Sequence, residues 1–281
     1  MEISYEKRIW VPSDPTHLRY GNLTFESPRW DVGGFYSIAY MGAYDYILDR
    51  IRPDDVVVDG GANIGVFSIL ASRKAKQVFA VEPHPRNYQA LCRNIELNHA
   101  KNVTPVNSAL GPMEGVAHIM GHGESVQVER NGHAVPMTTI DRLTGGKATV
   151  IKMDVEGFEV AAMLTQETLR TARLLAVEMD RDNLERVNRD PELNHGVTAN
   201  YEQFAETLKG AGYALTRQNE VPSRLFSHLQ VPGVVSNELR TMFFGVRSLL
   251  FPLLLSHKNL LTPQSWSDDQ FFFWMLYGVR D

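Results

Sequence analysis

Between residues 56 and 180 the chain alternates short apolar runs with stretches of helical character. The runs are VVVD, QVFAVE, NVTPVN, ATVIKMD and RLLAVEM. Strands this uniformly apolar belong to a parallel sheet covered by helices on both faces. Helix-like segments follow VVVD as far as Lys74, span about Asn87 to Asn98, and recur in short form over residues 159–168. The layout predicts a doubly wound α/β fold. VAHI, SVQVE and VPMTTI alternate polar and apolar residues as short strands do. An Asn- and Arg-rich stretch after LLAVEM reads as a charged loop. YEQFAETLKGAGYALTR then reads as helix, glycine turn and strand, with KGAGY as the stop signal. FFFWMLYGV supplies a last strand.

The flanks are less regular. Residues 1–50 read as an irregular extension or cap. Within it Tyr36, Tyr40 and Tyr44 stand four apart, a spacing that puts them on one helix face. That face would pack on the sheet or roof a ligand. The chain thus divides into a cap at 1–50, a core at 51–218, an insertion at 219–268 and a closing strand at 269–281. No internal repeat is present.

Composition narrows the class. Of 281 residues 43% are apolar and 22% charged, enough for a sizeable core, and the net charge of −5 argues against a broad nucleic-acid surface. The single cysteine, Cys92, excludes an internal disulfide and is expected as a buried thiol on a helix. No run approaches the roughly 20 apolar residues of a membrane span, and the first ten residues lack a signal-peptide core, so a soluble cytoplasmic protein is expected. Residues 239–261 mix Arg240, Arg247, His257 and Lys258 with Leu and Phe. A lid or homodimer contact fits them better than an interfacial membrane helix. His118, His122 and His133 read as surface residues of a hairpin.

Candidate chemistry centres on VVVDGGANIGVFSILASRKAKQVFAVEPHP, residues 56–85. In a doubly wound sheet ligands sit beyond the carboxyl ends of the strands, where a glycine turn lets them approach the backbone. Asp59 and Glu82 are 23 positions apart, near the spacing of about 20 that places a carboxylate on the ribose of a bound nucleotide. The dinucleotide fingerprint is imperfect: Gly60 and Gly65 fit, but Ala62 stands at its third position. An acid-x-Gly-x-x-x-Gly frame of Asp59, Gly61 and Gly65, with Asn63 in the turn, fits better. A carboxylate heading that turn repels pyrophosphate and suits a cationic amino group, which favours S-adenosylmethionine (SAM).

The segments VVVDGGANIGVFS, VFAVEPHPRNYQALCRNIELN, NSALG, TTIDRL, IKMDVEGFE and LLAVEMD occur in the order found in the FkbM-type family of SAM-dependent methyltransferases, which residues 50–180 resemble. His84 departs from the family's Glu-Pro-Asn. The resemblance implies a Rossmann-like, seven-stranded class I methyltransferase sheet, mostly parallel with an antiparallel last strand. It further implies methyl transfer mostly to hydroxyl oxygens of sugars or secondary metabolites. By position, Asp59, Gly61, Ala62, Asn63 and Gly65 would hold the methionine end of SAM, Glu82 the ribose, and Ser108 and Ala109 the adenine. Asp154 would lie above the same pocket.

IKMDVEGFE places Asp154 at a strand end and Glu156 in the turn after it. Amino-directed enzymes of this fold often carry a proline-rich turn here; two carboxylates in its place point to an oxygen acceptor. An alcohol needs a base as it attacks, and Asp154 or Glu156 is the candidate. The competing structural role is capping of the turn. A Mg2+ ion held by Asp154 with Glu178 or Asp180 is a third reading. The expected acceptor is a small molecule or glycan hydroxyl, with no nucleic acid. An RNA methyltransferase and a non-catalytic SAM- or nucleotide-binding module are the alternatives.

Overall fold

The structure, a computed structural model, describes residues 16–27, 32–39, 42–121, 126–198, 200–219 and 273–280. The readings of residues 220–268 as lid, dimer element or membrane helix, together with Tyr40 and His122, lie outside the described residues.

The chain opens with an antiparallel hairpin, β1 (Thr16–Tyr20) and β2 (Leu23–Ser27), then α1 (Val32–Ala39) and α2 (Asp45–Leu48). A cap of wholly irregular structure is therefore corrected: it contains regular elements. Asn94 and Asn98, one helical turn apart further along the chain, anchor strand β2 of the hairpin. Asn94 accepts from Glu26 N at 2.7 Å and donates to Glu26 O at 3.0 Å; Asn98 does the same to Thr24 at 3.0 and 2.7 Å. The single tyrosine face is corrected too. Helix α1 ends at Ala39, Gly42 turns the chain at φ 69°, and Tyr44 immediately precedes α2.

The core then runs β3 (Val56–Gly60), α3 (Val66–Ser72), β4 (Gln77–Val81), α4 (Pro85–Leu97) and β5 (Val103–Val106). A small sheet follows: β6 (Ala109–Leu110), β7 (Gly115–Met120), β8 (Gln127–Val128) and β9 (His133–Thr138). Helix α5 (Ile140–Thr144), capped by the Thr139 hydroxyl, leads into β10 (Val150–Met153), α6 (Glu159–Leu164) and β11 (Leu174–Asp180). The expected charged loop is helical instead, as α7 (Arg181–Asn188) and α8 (Pro191–Asn194). Asp180 caps α7, accepting from Asn183 N at 3.0 Å, and only Leu184 and Val187 turn inward, so its apolar period is short. Helix α9 (Tyr201–Gly210) and strands β12 (Ala214–Asn219) and β13 (Phe273–Val279) complete the described chain.

The main sheet has the order β12-β13-β11-β10-β3-β4-β5. Strands β11, β10, β3, β4 and β5 pair in parallel, and β13 is antiparallel to both its neighbours. Alternation along each strand feeds two apolar layers. Val57, Ala80, Val150 and Leu174 pack toward Phe35, Ile47, Phe67 and Leu91. Val58, Val81, Ile151 and Leu175 pack toward Ile140, Val160, Met163, Phe204 and Leu208. The seven-stranded α/β expectation is met. Cys92 is half-buried on α4, less enclosed than expected, and His118 and His133 are exposed on the small sheet. No helix among the described residues is long and apolar enough to cross a membrane.

Candidate active site

Sheet order reverses at β3, with β4 on one side and β10 on the other, and the crevice between their carboxyl ends is where this architecture takes ligands. A cavity of about 290 Å³ opens there. Its lining includes Gly61, Ala62, Asn63, Glu82, Ser108, Ala109, Asp154 and Glu156. Two of the residues expected at the ligand, Asp59 and Gly65, are not on its wall.

The turn after β3 is shaped by packing from beneath. Gly61 has φ 71°, and a Cβ there would stand 1.8 Å from the carbonyl oxygen of Asp154. Gly65 has φ 89°, and a Cβ there would meet Leu91 Cδ1 at 2.5 Å. Both missing Cβ atoms thus make room for neighbouring protein atoms.

Asp59 is buried below the cavity. Its Oδ2 accepts from Ser68 Oγ at 2.6 Å, and its Oδ1 faces Lys152 Nζ at 3.2 Å. The two residues are register partners on β3 and β10. Lys152 Nζ also donates to the carbonyls of Gly60 and Gly61, at 3.2 and 2.9 Å, and stands 3.5 Å from Asp154 Oδ2. The Tyr44 ring lies 5.3 Å from the ammonium. Burial alone would lower the lysine's pKa, but Asp59, Asp154 and Glu178 together hold it above the ordinary value.

Glu82, at the end of β4, is 3% exposed and lines the cavity. It accepts from Asn63 N and His84 N, both at 2.9 Å, and from Asn87 Nδ2 at 3.4 Å. Burial pushes its pKa up to about 7, against the pull of those donors and of Lys152. Ser108 and Ala109 lie on the wall beyond β5; the Ser108 hydroxyl donates to Pro136 O at 2.8 Å. Isoleucine 119 of the small sheet, with Val126, Val128 and Phe158, makes the wall apolar nearby.

The far end is carboxylate-rich. Tyr44 Oη donates to Asp154 Oδ2 at 3.1 Å and lies 3.3 Å from Glu178 Oε2, linking the ends of β10 and β11. Glu156 lines the cavity with φ 56°, and its Oε2 accepts from Asn183 Nδ2 at 2.8 Å. The turn carrying Asp154 and Glu156 is pinned by Glu159, which accepts from Val155 N at 2.8 Å and Gly157 N at 3.3 Å. Burial raises the Glu159 pKa to about 7.

Lys152 is a site residue the sequence reading passed over. Its signal was a lysine inside an otherwise apolar strand, at a position able to face the acid of VVVD. The Mg2+ reading is not supported: among the described residues no group of three or more His, Cys, Asp or Glu is arranged for a metal. Asp180, one of its proposed ligands, caps α7.

The donor set fits SAM. Glu82 can receive the two ribose hydroxyls, and carboxylates at the other end suit cationic groups. Pyrophosphate fits poorly: among the described lining residues Lys152 is the only basic side chain, and four oxygens already surround it.

Comparison with known proteins agrees with this cavity chemistry. The family model described as "Methyltransferase FkbM domain" matches residues 59–215. The hexuronic acid methyltransferase AglP of Haloferax volcanii is 31% identical over 130 residues, covering 42% of this chain and 52% of that protein. A tRNA(Phe) (4-demethylwyosine(37)-C(7)) aminocarboxypropyltransferase of Methanocaldococcus jannaschii is 46% identical over 55 residues, covering 19% of this chain and 22% of that protein. The chain thus spans about half the length of the first relative and about a fifth of the second. A crystal structure of methyltransferase FkbM from Methylobacillus flagellatus superposes with a TM-score of 0.41 at 20% identity, covering 62% of this chain and 42% of that one.

Proposed function

Because the chain belongs to the FkbM methyltransferase family, we propose that it is a SAM-dependent O-methyltransferase acting on a hydroxyl of a sugar, glycan or secondary metabolite. The observation carrying the oxygen preference is the carboxylate end of the cavity: Asp154 at its wall, linked through the Tyr44 hydroxyl to Glu178. When bound, SAM supplies a methyl group activated by its sulfonium. Glu82 binds the ribose hydroxyls, and the backbone from Gly61 to Asn63 supports the cofactor's methionine end. Asp154 accepts the acceptor's hydroxyl proton at a carboxylate oxygen as the oxygen becomes nucleophilic. Glu156 is the second candidate for that proton, though Asn183 already engages one of its oxygens. The apolar wall around Phe158 excludes water, and the strand ends fix the reacting groups in line, the contribution expected to matter most.

The relative acting on hexuronic acid supports a sugar-type acceptor. The tRNA-directed relative matches only 55 residues, too few to carry an acceptor preference.

The test incubates the protein with SAM and separate acceptors: methyl glycosides, uronic acids, polyketide alcohols and tRNA. S-adenosylhomocysteine should appear with a hydroxyl acceptor, and Asp154→Asn should cut turnover at least tenfold while leaving SAM binding within a few-fold. Transfer to tRNA alone would refute the reading, and full activity of Asp154→Asn would remove it as base.

A further inference from the structure

We propose that Lys152 is a tethered cation: its ammonium takes the position at which a divalent metal would otherwise join the glycine turn to the strand end bearing Asp154.

Four oxygens surround Nζ: Gly61 O at 2.9 Å, Gly60 O and Asp59 Oδ1 at 3.2 Å, and Asp154 Oδ2 at 3.5 Å. Carboxylates and backbone carbonyls are the hard ligands that Mg2+, Mn2+ and Ca2+ prefer. An ammonium has only three protons, so it serves this cage as a central charge as well as a donor. The lysine is 2% exposed and Asp59 fully enclosed, so the interaction is shielded from bulk water. Such a charge cannot be dropped cheaply, because its removal leaves Asp59 buried beside a single hydroxyl donor, Ser68.

The placement gives the cation a positioning task. Gly60 ends β3, Gly61 begins the turn on the cofactor wall, and Asp154 belongs to the acceptor end. One ammonium therefore fixes the spacing between them. This assignment rests on the proposed function only for its catalytic consequence; the cation cage itself is a property of the free protein.

The experiment substitutes Lys152→Ser, which opens the cage, and Lys152→Met, which keeps an unbranched stem and removes the charge. Melting is followed without added metal, with Mn2+, and with methylammonium; Mn2+ binding is read separately by electron paramagnetic resonance. Wild type should ignore EDTA and Mn2+. Lys152→Ser should melt well below wild type and regain about 5 °C or more with Mn2+ or methylammonium in large excess over its dissociation constant. S-adenosylhomocysteine, which has no sulfonium charge to confuse the comparison, should bind at least tenfold more weakly to Lys152→Ser and recover when either cation is added. A merely structural lysine would give the loss without the cation-specific return. If Lys152→Ser is unfolded in every condition, Lys152→Met decides: marked loss of stability upholds the charge requirement, because Asp59 is left unpaired, and wild-type stability overturns it. The proposal is also overturned if wild type binds Mn2+ stoichiometrically at this site, or if neither cation rescues a folded Lys152→Ser. Failure of wild type to bind S-adenosylhomocysteine would instead refute the proposed function, leaving the melting result to judge the cage.

Discussion

Binding of SAM should expel a proton from Glu82. The carboxyl is 3% exposed, and burial raises its pKa from 4.5 to about 7. An acid of that strength is about 90% protonated at pH 6. Two ribose hydroxyls donating to it favour the ionised form, because a carboxylate accepts where a carboxylic acid must also donate. If those donors return the pKa to its ordinary value, binding releases about 0.9 proton at pH 6, about 0.5 at pH 7 and about 0.1 at pH 8. Affinity should accordingly rise several-fold per pH unit between 5 and 7 and level off above. Calorimetry at pH 6 in two buffers of different ionisation enthalpy reads the proton count directly. The ligand's own amino group, with a pKa of about 8, stays charged at that pH and adds little. Glu82→Gln should abolish the release and weaken binding by about tenfold or more, the range for a hydrogen bond to a charged group. Glu159, also raised to about 7, is absent from the cavity wall, so Glu159→Gln should leave the release intact. Binding without buffer dependence in wild type, or with undiminished release in Glu82→Gln, would refute the reasoning.

The remaining predictions concern the scaffold. Gly61→Ala forces a Cβ to within 1.8 Å of the Asp154 carbonyl at a positive φ, so it should cost more than about 4 kcal/mol and abolish SAM binding; chemical unfolding and calorimetry check both. Asn94→Ala removes three hydrogen bonds between α4, the hairpin and Ile64, and should lower stability by about 3 kcal/mol in urea unfolding. Glu159 binds its proton more tightly folded than unfolded, so its contribution is greatest below pH 4.5 and is lost as pH rises through 7, up to about 3 kcal/mol. Glu159→Gln should flatten that part of the decline in stability between pH 5 and 8, measured by denaturant titration.

The parallel core was legible because most residues of its strands are apolar on both faces, a pattern that a doubly covered sheet satisfies. The antiparallel direction of β13 followed from the family resemblance and not from periodicity, and its place between β11 and β12 emerged only from the structure. The hairpin β1–β2 was hidden because its anchors, Asn94 and Asn98, sit about 70 residues away and look like ordinary helix-surface amides. Helix α7 was missed because Leu184 and Val187 are its only buried apolar residues. At the site, Glu82 was readable from its distance to the glycine turn. The part played by Asp59 was not: sequence shows a carboxylate near glycines, but only strand register reveals that Lys152 opposes it. Its charge is therefore spent inside the protein, against Lys152. Sequence singles out Gly61 and Gly65 as room for a ligand, whereas their missing Cβ atoms make room for Asp154 and Leu91.

Strand β13 is wedged between two neighbours that precede it in the chain, and at least 53 residues separate it from β12. Until residues 273–279 are made, β11 and β12 each present an unsatisfied row of backbone donors and acceptors. Sheet closure is consequently a late event of high contact order, and a nascent or nicked chain stopping short of β13 would be open to pairing with strangers.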